Sequence, residues 1–264
     1  MAVHLAELTW AEVGELVGAG AVVVVPVGSL EQHGPHLPLE TDWRLCATVA
    51  EEACRRAREA GVPAVVTPPI WTGFSPHHMD FPGSVTLDLP TFIAVVGQVA
   101  RSLWHHGFRK ILFLNGHGGN ANLLRSAVQQ LRFEHGVRAA AANYWDFALP
   151  FIREWRQSRP GGIDHACEME TALMLAVRPE MVRMEQARDS SWFPHSDFLT
   201  GDLAIGAPVT VAFSFGELTE DGGLGDAPRG TAERGRALLE VVTERLTTFL
   251  RQFHGWRWEE PLEI

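Results

Sequence analysis

The sequence predicts an α/β fold, a three-layer α/β/α domain built on a mainly parallel central sheet, and three observations lead there. Short β-branched runs alternate with helix-length amphipathic segments through most of the chain. The first run, Ala21–Val27 (AVVVVPV), is apolar at every position, as a strand covered on both faces should be. The chain has 264 residues, 46% of them hydrophobic and 20% charged, which is enough to bury a core and suits one globular domain over 1–264.

The elements follow in order. After Ala21–Val27, Asp42 to Ala60 reads as a helix, with Thr41 or Asp42 placed to cap it. Ala64–Thr67 is a second strand, and Leu89-Pro90 opens a helix running to about Gly107. Lys110–Leu114 (KILFL) is a third strand, stopped by Asn115-Gly116. Asn120 to about Glu134 is helical, and Arg138–Asn143 makes a fourth strand. A further helix is expected from roughly Asp164 to Ala176, and a last one from about Gly230 to Phe253, its start marked by Pro228 and Thr231. Trp71–Ser84 and Met184–Leu224 lack periodicity and read as loops or irregular segments. In an open α/β sheet, ligands bind beyond the carboxyl ends of the strands, which says where chemistry should be sought.

Composition narrows the function. A formal net charge of −10 argues against a nucleic-acid partner, which would require a basic face. Lys110 is the one lysine among 22 basic residues, so Schiff-base chemistry and a Walker-type phosphate loop both lack a candidate. Cys46, Cys54 and Cys167 are too few and too oddly spaced for a disulfide framework or a four-thiolate zinc site. Met1-Ala2-Val3-His4 has no basic segment leading into an apolar stretch, and no apolar run is long enough for a bilayer. The expected setting is the cytoplasm, with no membrane partner.

Chemistry-bearing residues fall just after the strands. The first strand runs into Leu30-Glu31-Gln32-His33-Gly34-Pro35-His36, where a carboxylate and imidazoles crowd a loop that backbone groups alone could build. Carboxylate oxygen and imidazole nitrogen together suit zinc or manganese. Glu31 and His33 are two apart, so both can point to one side of an extended segment. Asp42, which alone would serve as a helix cap, follows shortly after. The third strand ends in Asn115-Gly116-His117-Gly118-Gly119-Asn120; the spacing fits neither nucleotide fingerprint, and the glycines allow a sharp turn that projects His117. In Asp164-His165-Ala166-Cys167-Glu168-Met169-Glu170-Thr171, His165 and Glu168 are three apart and share a helical face, which favours Glu168 over Glu170 as a ligand. Cys167 as a nucleophile paired with His165 is disfavoured, because adjacent helical positions do not face each other.

Taken together, GSLEQHGPHLPLETD (Gly28–Asp42), FPGS (Phe81–Ser84), NGHGGN (Asn115–Asn120) and HACEMETALML (His165–Leu175) resemble the creatininase family in residues, order and spacing. The resemblance implies a layered α/β/α fold and two divalent cations, zinc or manganese with iron also acceptable. Glu31 and His117 would bind one ion, His33 and Glu168 the other, and Asp42 would bridge them. It further implies cleavage of a carbon–nitrogen amide bond in a small molecule by a metal-bridging hydroxide. His165 would be the proton donor to the leaving nitrogen and Glu170 its orienting partner. Trp145 matches a substrate-lining tryptophan, and Ser75 and His78 are placed at the substrate entrance. A homo-oligomer, hexameric in relatives, is also implied. The chain departs from creatininase proper at Gly118 and Gly119, where that enzyme has Tyr and a ligand Glu, and at Gly161, where it has a tryptophan. Creatinine is therefore one candidate beside other cyclic amides and formamides. A peptidase of the mycofactocin-maturation type and a metal-binding protein without turnover are the alternatives.

Overall fold

The structure, a computed structural model, describes residues 2–194 and 196–258, so the outer ends of the expected 1–264 domain lie outside it. No expectation covered the N-terminal helix α1 (Trp10–Gly18). Its start carries a capping box, in which Thr9 Oγ1 accepts from the Glu12 N–H and the Glu12 carboxylate accepts from the Thr9 N–H at 2.7 Å. The order then runs β1 (Val22–Val27), α2 (Thr41–Glu59), β2 (Ala64–Val66), α3 (Leu89–His105), β3 (Lys110–Asn115), α4 (Ala121–His135) and β4 (Ala140–Asn143). It continues with α5 (Leu149–Trp155), β5 (Ile163–His165), α6 (Glu168–Val177), α7 (Phe215–Leu218), β6 (Leu224–Gly225) and α8 (Ala232–Gly255).

Strands β1 to β4 form one sheet in the order β2-β1-β3-β4, with every pairing parallel. Period-two alternation divides the core between its faces. Val22 and Val24 pack with residues of α2, α6 and α8, whereas Val23, Val25 and Val27 pack with residues of α1, α3 and α4. Helices therefore cover both sides, which makes the three layers. The register of β1 on β3 runs from Val22 opposite Lys110 to Val27 opposite Asn115, so the two strands end level. Successive crossovers leave β1 toward opposite edges, which opens a crevice at its carboxyl end.

The expected helix over Asp164 to Ala176 is corrected. Ile163–His165 is a short strand, antiparallel to β6, and the helix begins only at Glu168. Between them Ala166 takes a left-handed conformation with φ 50°, uncommon for a residue with a Cβ, and that turn breaks the helical register. The long segment expected as irregular carries α7 and β6. It is tied across the strand ends at two points: Gln32 Nε2 donates to the Gly222 carbonyl at 2.8 Å, and the Gly216 N–H donates to Asp80 at 3.1 Å. Among the described residues no helix is long and apolar enough to cross a membrane.

Candidate metal centre

Seven buried side chains converge at the carboxyl ends of β1 and β3. Glu31 and His33 leave β1, Asp42 lies in the first turn of α2, and His78 belongs to a tight turn after β2. His117 follows β3, His165 ends β5, and Glu170 lies in the first turn of α6. The level ends of β1 and β3 bring Glu31 and His117 together: His117 Nδ1 stands 3.1 Å from Glu31 Oε1 and 3.1 Å from Asp42 Oδ2. The other Asp42 oxygen, Oδ1, is 2.9 Å from His33 Nε2, which in turn is 3.8 Å from Glu170 Oε1. Asp42 thus turns one oxygen to His117 and the other to His33.

The surroundings set the imidazole tautomers. His33 Nδ1–H donates to the Glu31 carbonyl at 3.0 Å, His117 Nε2–H to the Phe74 carbonyl at 3.0 Å, and His165 Nε2–H to the Gln32 carbonyl at 2.7 Å. Each ring therefore turns its other nitrogen toward the carboxylates, the arrangement by which outer hydrogen bonds orient a histidine to bind metal once that nitrogen has given up its proton. His78 is the exception. The Gln32 amide is oriented by the Gly34 N–H on its oxygen (2.9 Å) and the Gly222 carbonyl on its nitrogen. Gln32 Nε2 then donates to His78 Nδ1 at 2.8 Å, which leaves the proton on His78 Nε2, 3.1 Å from Glu31 Oε1.

The carboxylates are short of partners. Both oxygens of Glu31, Oδ2 of Asp42 and Oε2 of Glu170 are buried without a hydrogen bond among the described residues. Three imidazole nitrogens approach Glu31 Oε1, those of His78 and His117 at 3.1 Å and that of His165 at 3.8 Å, none of them in a hydrogen bond. An unpaired buried oxygen costs on the order of 1–3 kcal/mol, and more when charged. The spacings of 2.9–3.1 Å are close to the edges of a shell of ligands about 2.1 Å from a common ion. The donor set and its unpaired oxygens therefore fit divalent cations, and three triads of the cluster have metal-ligating spacing: Glu31–His33–His165, Glu31–His78–His117 and His33–Asp42–Glu170.

Without cations the charges redistribute as protons. Burial opposes charge on His33, but Asp42, Glu170 and Glu31 outweigh it and raise its pKa to about 9. His117 is likewise raised against burial by Glu31 and Asp42, while Glu31 is held well below the usual carboxylate range, against burial, by His117 and His78. Burial, reinforced by His33 and His78, pushes His165 well below its ordinary value, so its ring is neutral. Burial raises the Glu170 carboxyl.

Two expectations are corrected. Glu168 is fully buried away from the cluster, and its carboxylate is already saturated. It accepts from the Gln157 N–H at 3.1 Å, the Ser158 N–H at 3.1 Å and Ser158 Oγ at 2.6 Å, and pairs with Arg234 at 3.1 Å. Glu170, expected only as an orienting partner, stands instead with His33 and Asp42 at metal-ligating spacing. Ser75 does not line the cavity; its hydroxyl lies behind His117, 3.1 Å from Nε2 and 2.5 Å from Ser29 Oγ. Trp145 and His78 do line the cavity of about 360 Å³ above the cluster, together with His165, Trp192, Phe213 and Phe215. Cys167 is fully buried with its thiol pushed well up by burial, which suits no nucleophile. The roles of Gln32 and Phe215 went unread in the sequence. Gln32 had a signal in its position between two candidate ligands, whereas Phe215 lies in a segment without periodicity.

Comparison with known proteins identifies the family. Residues 6–250 match the creatininase family, described as creatinine amidohydrolase. The chain is 30% identical to the creatinine amidohydrolase of Pseudomonas putida, an alignment covering 95% of this chain and 96% of that one. It is 34% identical to the mycofactocin precursor peptide peptidase of Mycolicibacterium smegmatis over 84% of this chain and 81% of that one. A solved structure of creatininase with manganese superposes with a TM-score of 0.80 at 28% identity, covering 97% of this chain and 100% of that one. The chain belongs to the creatininase family of hydrolases.

Proposed function

We propose that this protein hydrolyses a carbon–nitrogen amide bond of a small molecule with two divalent cations. Glu31, His117 and one Asp42 oxygen would hold the first, and His33, Glu170 and the other Asp42 oxygen the second. The carrying observation is the pairing of unpartnered carboxylate oxygens with imidazoles whose N–H groups are tied to backbone carbonyls. Zinc and manganese both suit this mixed set of oxygen and nitrogen donors, and iron is accommodated. When bound, such ions lower the pKa of water toward neutrality and polarise the substrate carbonyl.

The remaining work falls to the chain. Neutral His165, held by the Gln32 carbonyl, presents Nδ1 to take a proton from the attacking water and return it to the leaving nitrogen. His78 Nε2–H faces the same space as a hydrogen-bond donor. Phe215, 4.1 Å from His78 and 4.8 Å from His165 between ring centroids, screens both from water. The cavity of about 360 Å³ suits a cyclic amide or a formamide, whereas a peptide would have to enter end-on. The protein loaded with manganese or zinc should release amine or formate from members of a panel of creatinine, other cyclic amides and formamides. Release from short peptides alone would favour the peptidase reading, and no turnover on any member would leave a metal-binding protein. A homo-oligomer is part of the proposal, and sedimentation equilibrium should give a multiple of 29.1 kDa.

A further inference from the structure

The segment Asn115-Gly116-His117-Gly118-Gly119-Asn120 supplies one candidate ligand, His117, and two asparagines that the hydrolytic machinery does not use. Both asparagines are fully buried. A buried amide must set its oxygen on a donor and its nitrogen on an acceptor, so its partners show what it holds. Asn115 holds the main chain of His117. Its Oδ1 accepts from the His117 N–H at 3.1 Å, and its Nδ2 donates to the His117 carbonyl at 2.6 Å and to Asn143 Oδ1 at 2.8 Å.

Asn120 holds something else. It stands at the N-cap of α4, where an asparagine ordinarily serves its own helix, yet its side chain makes no cap bond. Its amide bridges two other segments instead. Oδ1 accepts from the Phe74 N–H at 2.9 Å, and Nδ2 donates to the carbonyl of Gly28, just past β1, at 3.0 Å. Gly73 leaves room for the bridge: a Cβ there would lie 2.6 Å from Asn120 Oδ1 and 2.6 Å from the Gly28 carbonyl oxygen. Phe74 is also the residue whose carbonyl accepts the His117 Nε2–H at 3.0 Å. The contacts thus run from the end of β1 through Asn120 and Phe74 to the outer edge of the His117 ring. The inner nitrogen of that ring, Nδ1, is the one 3.1 Å from Glu31 and 3.1 Å from Asp42.

We propose that Asn120 is a positioning residue for the ion bounded by Glu31, His117 and Asp42, acting through Phe74 on the orientation of the His117 ring. This rests on the two-cation reading of the cluster. The defect on removing Asn120 is asymmetric, because His33 gives its outer hydrogen bond to the Glu31 carbonyl and not to Phe74. Competition for zinc with a chromophoric chelator measures it. The unsubstituted protein should bind two zinc ions per chain. In Asn120→Ala one ion should weaken by about tenfold or more, the usual loss when an outer hydrogen bond to a ligand is removed, and the other should stay within about threefold. Anomalous diffraction should place the surviving ion beside His33 and Glu170. Leu131→Ala, which empties a buried position on the same helix, should not produce that split. Two unchanged ions in Asn120→Ala, two equally weakened ones, or the same split in Leu131→Ala would overturn the proposal. A measurement on the unsubstituted protein covers a variant that fails to fold. Nitrogen-15 spectra of the zinc-loaded protein should show slowly exchanging protons on His117 Nε2 and on the Phe74 amide, and rapid exchange of either contradicts the proposal. Unsubstituted protein that binds fewer than two zinc ions contradicts the two-cation reading instead, whatever the variants show.

Discussion

Glu168 and Glu170 stand two residues apart in one helical turn, and their surroundings give them opposite tasks. Glu168 meets two backbone N–H groups, a hydroxyl and Arg234, whereas Glu170 meets His33 and leaves one oxygen unpaired. Glu170→Ala should lose metal from purified protein, as elemental analysis will show. Glu168→Ala should keep its metal and lose about 3 kcal/mol of stability in denaturant unfolding, because Arg234 is left without its buried partner. Asp42→Ala, by removing the oxygens shared between both halves, should lose metal and turnover together. The raised His33 pKa gives a further expectation. Between pH 6.5 and about 9 the metal-free native state holds a proton on His33 that the unfolded chain does not. That contribution to stability is fully present below pH 6.5 and is lost as pH rises through about 9. Metal must displace the same proton, so apparent metal affinity should rise across this interval, measurable by competition with a chromophoric chelator. Residue types announced the cluster in the sequence because a carboxylate and imidazoles after a buried strand have no structural need to be there. The choice between Glu168 and Glu170 was not legible. It turned on whether His165 lies on the helix, and the left-handed Ala166 puts it on a strand.

At the scale of elements, β1 and β3 were readable because every position in them is apolar or nearly so, and their ends fall within a residue of expectation. β4 was read two residues too long, since it starts at Ala140 and not at the expected Arg138. The strands β5 and β6 are three and two residues long, too short for any periodicity to declare itself, and their pairing spans a long irregular segment. The contact of α6 with α8 was equally hidden, although one residue controls it. A Cβ on Gly235 would lie 1.8 Å from the Ala172 carbonyl oxygen, so the two helices meet backbone to side-chain-free backbone. Gly235→Ala must push them apart, and a loss of about 3 kcal/mol is expected in unfolding experiments. Because Glu170 rides on α6, the same variant should also bind metal more weakly than the unsubstituted protein.

At the scale of the molecule, the sheet order makes the cluster possible. β1 lies beside both β2 and β3, so loops leaving three strands open toward one crevice, and the packing of α2 and α6 against the same face brings in Asp42 and Glu170. Two of the five proposed ligands, Asp42 and Glu170, come from outside the two central strand loops, so cations would tie α2 and α6 to the sheet. Chelation should therefore lower the melting temperature. At metal concentrations near a thousand times the dissociation constant, the linked stabilisation is about 4 kcal/mol. For a chain of this size that corresponds to a fall on the order of 10 °C by calorimetry. The most direct test is anomalous diffraction from crystals grown with saturating zinc or manganese. Two peaks are expected, one bounded by Glu31, His117 and Asp42 and the other by His33, Glu170 and Asp42. No peak among these side chains, or an ion bound instead at Glu168, would contradict the account.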